Sequence, residues 1–210
     1  MAQSHARHAA PQTTGKIIRW ARLYDLFFAR KLTEVHKQVV RSAAPQPGER
    51  ALDVGCGPGT MAIILAKKVL PVGEVVGIDA STEMIDVARR KGKRQGSTAC
   101  FEAAAIESLP FDDAAFDLAT STFMLHHLPD DVQASGLAEI RRVLKPGGRF
   151  VIADFSSESQ SFHGHLLSIL GHGHGRSSFP VLEARLRAAG FANVEQLLSK
   201  RKGTMTLKAS

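Results

Sequence analysis

The stretch that most constrains this chain is residues 51–60, Ala51-Leu52-Asp53-Val54-Gly55-Cys56-Gly57-Pro58-Gly59-Thr60. A short apolar run ends at Asp53, and glycines follow at alternate positions, Gly55, Gly57 and Gly59. Residues 61–69 then supply good helix formers and carry Lys67 and Lys68 near their end. That succession reads as strand, glycine loop and helix. Glycine admits positive φ and lets a ligand approach the backbone with no Cβ in the way. The helix start just beyond offers unpaired N–H groups to a polar ligand. A small, nucleotide-like ligand suits the loop.

Spacing narrows the choice. A dinucleotide fingerprint places glycine or alanine three residues after its second glycine. Counted from Gly57, that position is Thr60. A phosphate-binding P-loop ends in Gly-Lys-Ser/Thr, and this loop does not. Asp53 puts negative charge beside the loop, which suits a ligand with an ammonium group better than a pyrophosphate.

The segment Asp53–Thr60 resembles motif I of the class I S-adenosylmethionine-dependent methyltransferases. The resemblance is good over roughly residues 20–155 and looser beyond. Within the family it looks most like the small-molecule branch that includes the ubiquinone and menaquinone C-methyltransferases. It implies S-adenosyl-L-methionine as cofactor, held by Asp53, Gly55, Cys56, Gly57 and Gly59. It also implies methyl transfer to a small, lipophilic acceptor such as a quinone precursor or a phospholipid head group. A non-catalytic cofactor-binding protein of the same fold is the alternative.

Further along, Glu74-Val75-Val76-Gly77-Ile78-Asp79 reads as a second buried strand ending in an acid. Asp79 lies 20 residues after Gly59, where a nucleotide fold puts a carboxylate on the ribose hydroxyls. A carboxylate only accepts hydrogen bonds, so it takes both hydroxyl protons. Ser81, with Glu83 and Asp86 behind it, is the better candidate to cap the following helix. By resemblance, Ala80, Ser81 and Met84 border the adenine. Ala105-Ile106-Glu107-Ser108-Leu109-Pro110-Phe111 resembles the family's acid-Ala-x-x-Leu-Pro-Phe segment, with alanine at the acid's position. The backbone of Ala105 and Ile106 can still pair with the adenine edge, and the acid's place is either vacant or taken by Glu102 or Glu107.

Strand four, near 116–121, leads into Thr122-Phe123-Met124-Leu125-His126-His127-Leu128. Ligands of an open α/β sheet sit outside the C-terminal strand ends, so Ser121, Thr122 and His126 stand over the site. His126 matches the family's position better than His127 and is the candidate proton acceptor, the other reading of both histidines being structural hydrogen bonding. Ala21-Arg22-Leu23-Tyr24-Asp25 resembles the family's N-terminal lid, which makes Tyr24 the second catalytic candidate. Residues 163–165 and 172–175 hold His-Gly-His pairs, but glycine-rich spacing supplies no rigid ligand geometry and no metal is expected.

The remaining organisation follows from composition. The 210 residues suffice for one domain with a core. Residues 1–15 read as a disordered tail, 16–48 as lid helices, and 49–210 as the cofactor-binding domain with a flexible substrate loop at 156–179. The fold expected is a single α/β, Rossmann-like, doubly wound domain. Its seven-stranded sheet is mostly parallel with an antiparallel last strand, and helices cover both faces. Strand five is expected at 149–154 after a turn at 144–148, and the last two strands at 191–195 and 203–207. Two cysteines make no disulfide framework and fit a cytoplasmic compartment. No apolar run approaches the ~20 residues that span a bilayer, and residues 1–15 show no signal-peptide core.

Charge is uneven. Residues 1–50 carry nine Lys/Arg against three acids, while 51–160 carry eleven against fifteen. The apolar, basic helix expected over 16–31 suits either a lid or peripheral contact with an anionic inner membrane surface. Nucleic acid is not expected as a partner, because the basic run Arg89–Arg94 has no aromatic platform beside it.

Overall fold

The computed structural model describes residues 33–156, 178–199, 201 and 203–210. The expectations for the tail, for the helix carrying Tyr24, and for most of the loop at 156–179 lie outside these residues. Helix α1 covers 33–43. Then follow β1 (Arg50–Val54), α2 (Thr60–Val69), β2 (Glu74–Asp79), α3 (Thr82–Arg94), β3 (Cys100–Ala103) and β4 (Phe116–Thr122). After a 3₁₀ turn at Leu125–His127 come α4 (Asp130–Val143), β5 (Leu144–Phe155), α5 (Phe179–Ala188), β6 (Val194–Leu197) and β7 (Thr204–Ala209).

The seven strands lie in the order β3-β2-β1-β4-β5-β7-β6. β7 runs antiparallel to both neighbours and the other pairings are parallel. This is the doubly wound sheet that the alternating pattern predicts. Strand order reverses between β1 and β4, so the loops after these two strands diverge and leave a crevice.

Each face of the sheet has its own core. Val35 and Val39 of α1, Met61 and Leu65 of α2, and Ile85 and Ala88 of α3 pack on one face. Leu137 and Ile140 of α4 with Leu182 and Leu186 of α5 cover the other. Central strands buried on both sides need near-continuous apolar runs, and β1 and β5 supply them.

Two expectations shift. Leu144 already pairs with Phe116 before the turn, and Arg149 resumes pairing with Leu118, so five residues of β5 span two of β4. The predicted turn is thus a bulge inside one long strand, with Gly147 at φ 76°. β6 begins at Val194 rather than 191, because Phe191 turns into the core, 2% exposed, with its ring 6.0 Å from that of Phe150.

Candidate active site

A cavity of about 620 Å³ opens over the C-terminal ends of β1, β2 and β4, at the point where strand order reverses. The glycine loop forms its floor. Gly57 sits at φ 50°, and a Cβ there would meet nothing within 4 Å, so this backbone faces open space. Gly59, at φ 79°, starts α2 and leaves no room for a side chain: a Cβ would lie 2.7 Å from the Phe101 ring. The loop is fixed by two bonds to β2. The Cys56 N–H donates to the Ile78 carbonyl at 2.8 Å, and the Gly57 N–H donates to Asp79 Oδ2 at 2.9 Å.

Asp79 therefore latches the loop as well as facing the cavity. Its Oδ1 accepts the Ser81 N–H at 2.9 Å. A carboxylate offers about four lone-pair sites, so two stay open for hydroxyl donors. Burial pushes its pKa up, against the two backbone N–H bonds that pull it down. Ser81 caps α3 as expected, accepting the Met84 N–H at 3.2 Å, and Ala80, Ser81 and Met84 all reach the cavity wall.

Asp53 does something else. It is 1% exposed and absent from the wall. One oxygen accepts the Ala62 N–H at the start of α2, at 3.1 Å, and the other accepts the Thr120 hydroxyl at 2.9 Å. Asp53 thus caps α2 from beneath the loop, in place of the N-cap side chain that Gly59 lacks. Burial pushes its pKa up to about 7 despite those two bonds, and the charge of Asp79 adds to the rise. Cys56, 7% exposed, has its thiol pushed up by burial and by Asp53 and Asp79. That keeps it neutral and unreactive.

Ala104 and Ile106 reach the wall, while Ala105 between them is 7% exposed and turned away from it. Of the two acids considered as replacements, Glu107 lines the cavity and Glu102 does not. The Glu107 Oε2 is buried and has no hydrogen-bond partner among the described residues.

Thr122 at the end of β4 and, beyond it, Phe123, Met124, His127 and Leu128 complete the wall. Ser121, 1% exposed, points to the opposite face of the strand, as alternation requires. Phe123 holds φ 54°, a left-handed conformation that costs a bulky residue ~1–3 kcal/mol and clusters at functional sites.

The 3₁₀ turn that follows decides which histidine faces the cavity. His127 is on the wall, and His126 is not. The His126 Nδ1 lies 2.6 Å from Asp154 Oδ1, and its backbone N–H donates to Asp154 Oδ2 at 3.1 Å. A carboxylate only accepts, so Nδ1 carries the proton in this contact. The His126 ring lies against His127 at 3.8 Å between centroids, tilted by 43°, and meets Phe155 edge-on at 4.9 Å. Asp154, 2% exposed at the end of β5, was not singled out from the sequence. Its signal was there: an acid ending an apolar strand, the same feature that marked Asp53 and Asp79.

A methyltransferase domain model matches residues 51–148 of the chain. A demethylmenaquinone methyltransferase of Staphylococcus carnosus is 36% identical over 182 residues, covering 76% of this chain and 74% of that protein. An uncharacterised 37.1 kDa protein of a Streptomyces fradiae transposon is 48% identical over 109 residues. That match covers 52% of this chain but 31% of the relative, so the chain spans about a third of that protein's length. Among solved structures, a SAM-dependent methyltransferase from Aquifex aeolicus shares the fold, with a TM-score of 0.74 over 90% of this chain and 95% of its own. At 23% identity that likeness is one of fold alone. The Staphylococcus carnosus relative, matched along most of both chains, carries the assignment: this chain belongs to the class I S-adenosyl-L-methionine-dependent methyltransferases.

Proposed function

We propose that this protein transfers the methyl group of S-adenosyl-L-methionine to a small, lipophilic acceptor such as a quinone precursor or a phospholipid head group. The observation that carries this reading is the continuity of the cavity. Its latched glycine loop and Asp79 run directly into an apolar wall that includes Val40, Ile64, Phe123 and Leu128. The name of the Staphylococcus carnosus relative supports an acceptor with a large apolar body.

The wall residues fit the cofactor. Gly57 is open to it, Asp79 keeps acceptor capacity for two ribose hydroxyls, and the orphaned Glu107 oxygen suits an amino donor. Asp53 and Asp79 are both raised by burial, so a positively charged ligand nearby favours their ionised forms. When bound, this cofactor supplies a methyl group already activated on a positively charged sulfur.

The chain's own contribution is therefore mainly alignment, which is worth up to ~7–11 kcal/mol of a barrier. Phe123, Met124 and Leu128 exclude water from the strand-four side of the cavity. An acceptor that loses a proton needs a base: His36 and His127 both line the wall, and His127 is the one that follows β4. His126, tied to Asp154 and in ring contact with His127, supports that ring.

Incubation with methyl-labelled cofactor and a cell extract, followed by identification of the product, tests the proposal. Label in an organic-soluble small molecule supports it. Label only in protein or nucleic acid overturns it. The alanine at position 105, where the family's segment carries an acid, motivates from the sequence a second reading, a binding protein that keeps the fold without catalysis. Tight cofactor binding with no labelled product from any extract would select that reading.

A further inference from the structure

The cavity does not stop at the cofactor loop. It continues as a groove between α1 and α2. Thr33, His36, Lys37, Val40 and Arg41 occupy one face of α1, at helical spacing, and all reach the cavity. Met61, Ile64 and Lys68 do the same on α2. The groove is thus apolar along Val40, Met61 and Ile64 and cationic at Lys37, Arg41 and Lys68.

The charges are not balanced within it. Lys37 pairs with Glu34 at 2.8 Å, on an exposed helix face. Arg41 donates its Nε to the Lys37 carbonyl at 3.3 Å, and neither Arg41 nor Lys68 has a carboxylate partner among the described residues. The acids on the cavity wall, Asp79 at the end of β2 and Glu107 after β3, belong to the cofactor end. Lys91 also lines the cofactor end, donating to the Thr60 hydroxyl at 2.7 Å, but the acids lie at that end and Lys37, Arg41 and Lys68 along the groove, which selects an elongated ligand with an anionic second half.

We propose that this groove seats an anionic group of the acceptor, which is an apolar molecule carrying a carboxylate or phosphate. The inference rests on the methyl-transfer reading above and names the chemistry of its acceptor. Charge argues against the chain's own N-terminal segment as occupant. Residues 16–31 hold Lys16, Arg19, Arg22, Arg30 and Lys31 against Asp25, the same sign as the groove.

Octanoate and octanol, equal in apolar length and different in charge, serve as probes. Each is titrated calorimetrically into the full chain, with and without S-adenosylhomocysteine. Octanoate should bind at least about tenfold more tightly than octanol at low salt, and the gap should shrink with added salt. In the double variant Arg41→Gln/Lys68→Gln the gap should close to within about twofold, while S-adenosylhomocysteine affinity holds. Equal affinity for the two probes in the natural protein overturns the proposal, as does a gap that survives the double substitution. A parallel loss of S-adenosylhomocysteine affinity would assign the cations to the cofactor's carboxylate and overturn it too. Sedimentation with phosphatidylglycerol and phosphatidylcholine vesicles separates the sources of the anion. Charge-dependent vesicle binding without octanoate selectivity means a membrane surface, and overturns the acceptor assignment. Failure of S-adenosylhomocysteine to bind at all would strike the methyl-transfer reading, while the octanoate comparison reads the groove independently.

Discussion

The two ends of the sheet treat their carboxylates in opposite ways. At the C-terminal end, Asp53 and Asp79 are buried among backbone donors and a hydroxyl, with no cation paired to them among the described residues, and burial raises both. At the N-terminal end every comparable acid has a cation. Arg149 forks onto Glu49 at 2.8 Å and also donates to the carbonyls of Ala43 and Ala44. Lys145 holds Asp117 at 2.7 Å, and Arg142 holds Glu139 at 2.7 Å. Arg149 lowers Glu49 and Arg142 lowers Glu139. Burial pulls Asp117 up, but Lys145 and the Arg50 N–H bring it down on balance. The lesson is that one end is finished by the protein itself. The other is left short of positive charge, which a sulfonium ligand supplies.

The largest effect should come from the wall of the site. His127→Gln is expected to lower kcat by ~10²-fold or more where the acceptor loses a proton, with cofactor affinity unchanged. His126→Gln should cost less, since it removes support rather than the base. A larger kcat loss for His126→Gln than for His127→Gln would return the catalytic role to His126 and make the wall position of His127 incidental.

Next, one substitution at each end should separate stability from binding. Arg149→Met strips a partly buried fork and leaves Glu49 unpaired. It is expected to cost about 2–3 kcal/mol, or roughly 5–10 °C in Tm, with S-adenosylhomocysteine affinity intact. Asp79→Ala should do the reverse, weakening S-adenosylhomocysteine by at least ~10-fold, for ~1.5–3 kcal/mol of lost charged hydrogen bonds. Calorimetry that found both substitutions moving Tm and affinity together would erase the division between the ends.

The pH dependence of the cofactor-free protein sharpens the same contrast. Asp53 rises from its ordinary 3.8 to about 7 on folding, so the folded protein holds that proton more tightly. Stability from this group declines as pH climbs through that window. Glu49, Glu139 and Asp117 are lowered, so their contribution is present above the ordinary carboxylate range and is lost as pH falls below it. Thermal melts between about pH 5 and 8 should therefore show Tm falling toward the alkaline side, and Asp53→Asn should flatten that fall. An unchanged slope in the variant would remove Asp53 as its source.

The smallest effect belongs to Ala105. A simple vacancy would let Ala105→Asp tighten cofactor binding by ~0.5–1.5 kcal/mol. Ala105 faces away from the cavity and Glu107 already presents an orphaned oxygen there, so no tightening is expected. Tightening of about threefold or more would show that the vacancy is real.

What was legible in the sequence depended on periodicity and on acids at strand ends. The glycine loop, the acid ending β2, the Ser81 cap and the mostly parallel, doubly wound sheet are local or pattern-borne features, and the chain folds as they require. The position of His126 was misjudged because Leu125–His127 forms a 3₁₀ turn. Three residues per turn swing each side chain by about a third of a circle from the last, and two adjacent histidines then face different ways. Asp53 was assigned to the ligand because the sequence shows its proximity to the loop, not the Ala62 N–H and Thr120 hydroxyl that occupy it. The groove between α1 and α2 was invisible for a similar reason. Lys37, Arg41 and Lys68 become neighbours of one cavity only when two separate helices pack side by side.

The wedge of β7 between β5 and β6 bears on the order of events during synthesis. β6 is made before β7 but, among the described strands, pairs only with β7, and β5 stays an open edge on that side until β7 arrives. A ribosome that has delivered everything through Leu197 has therefore produced two unsatisfied edges and no way to join them. Residues 204–209, buried along most of their length, close both at once. The fold is completed from its far end backwards, after translation has passed the last strand.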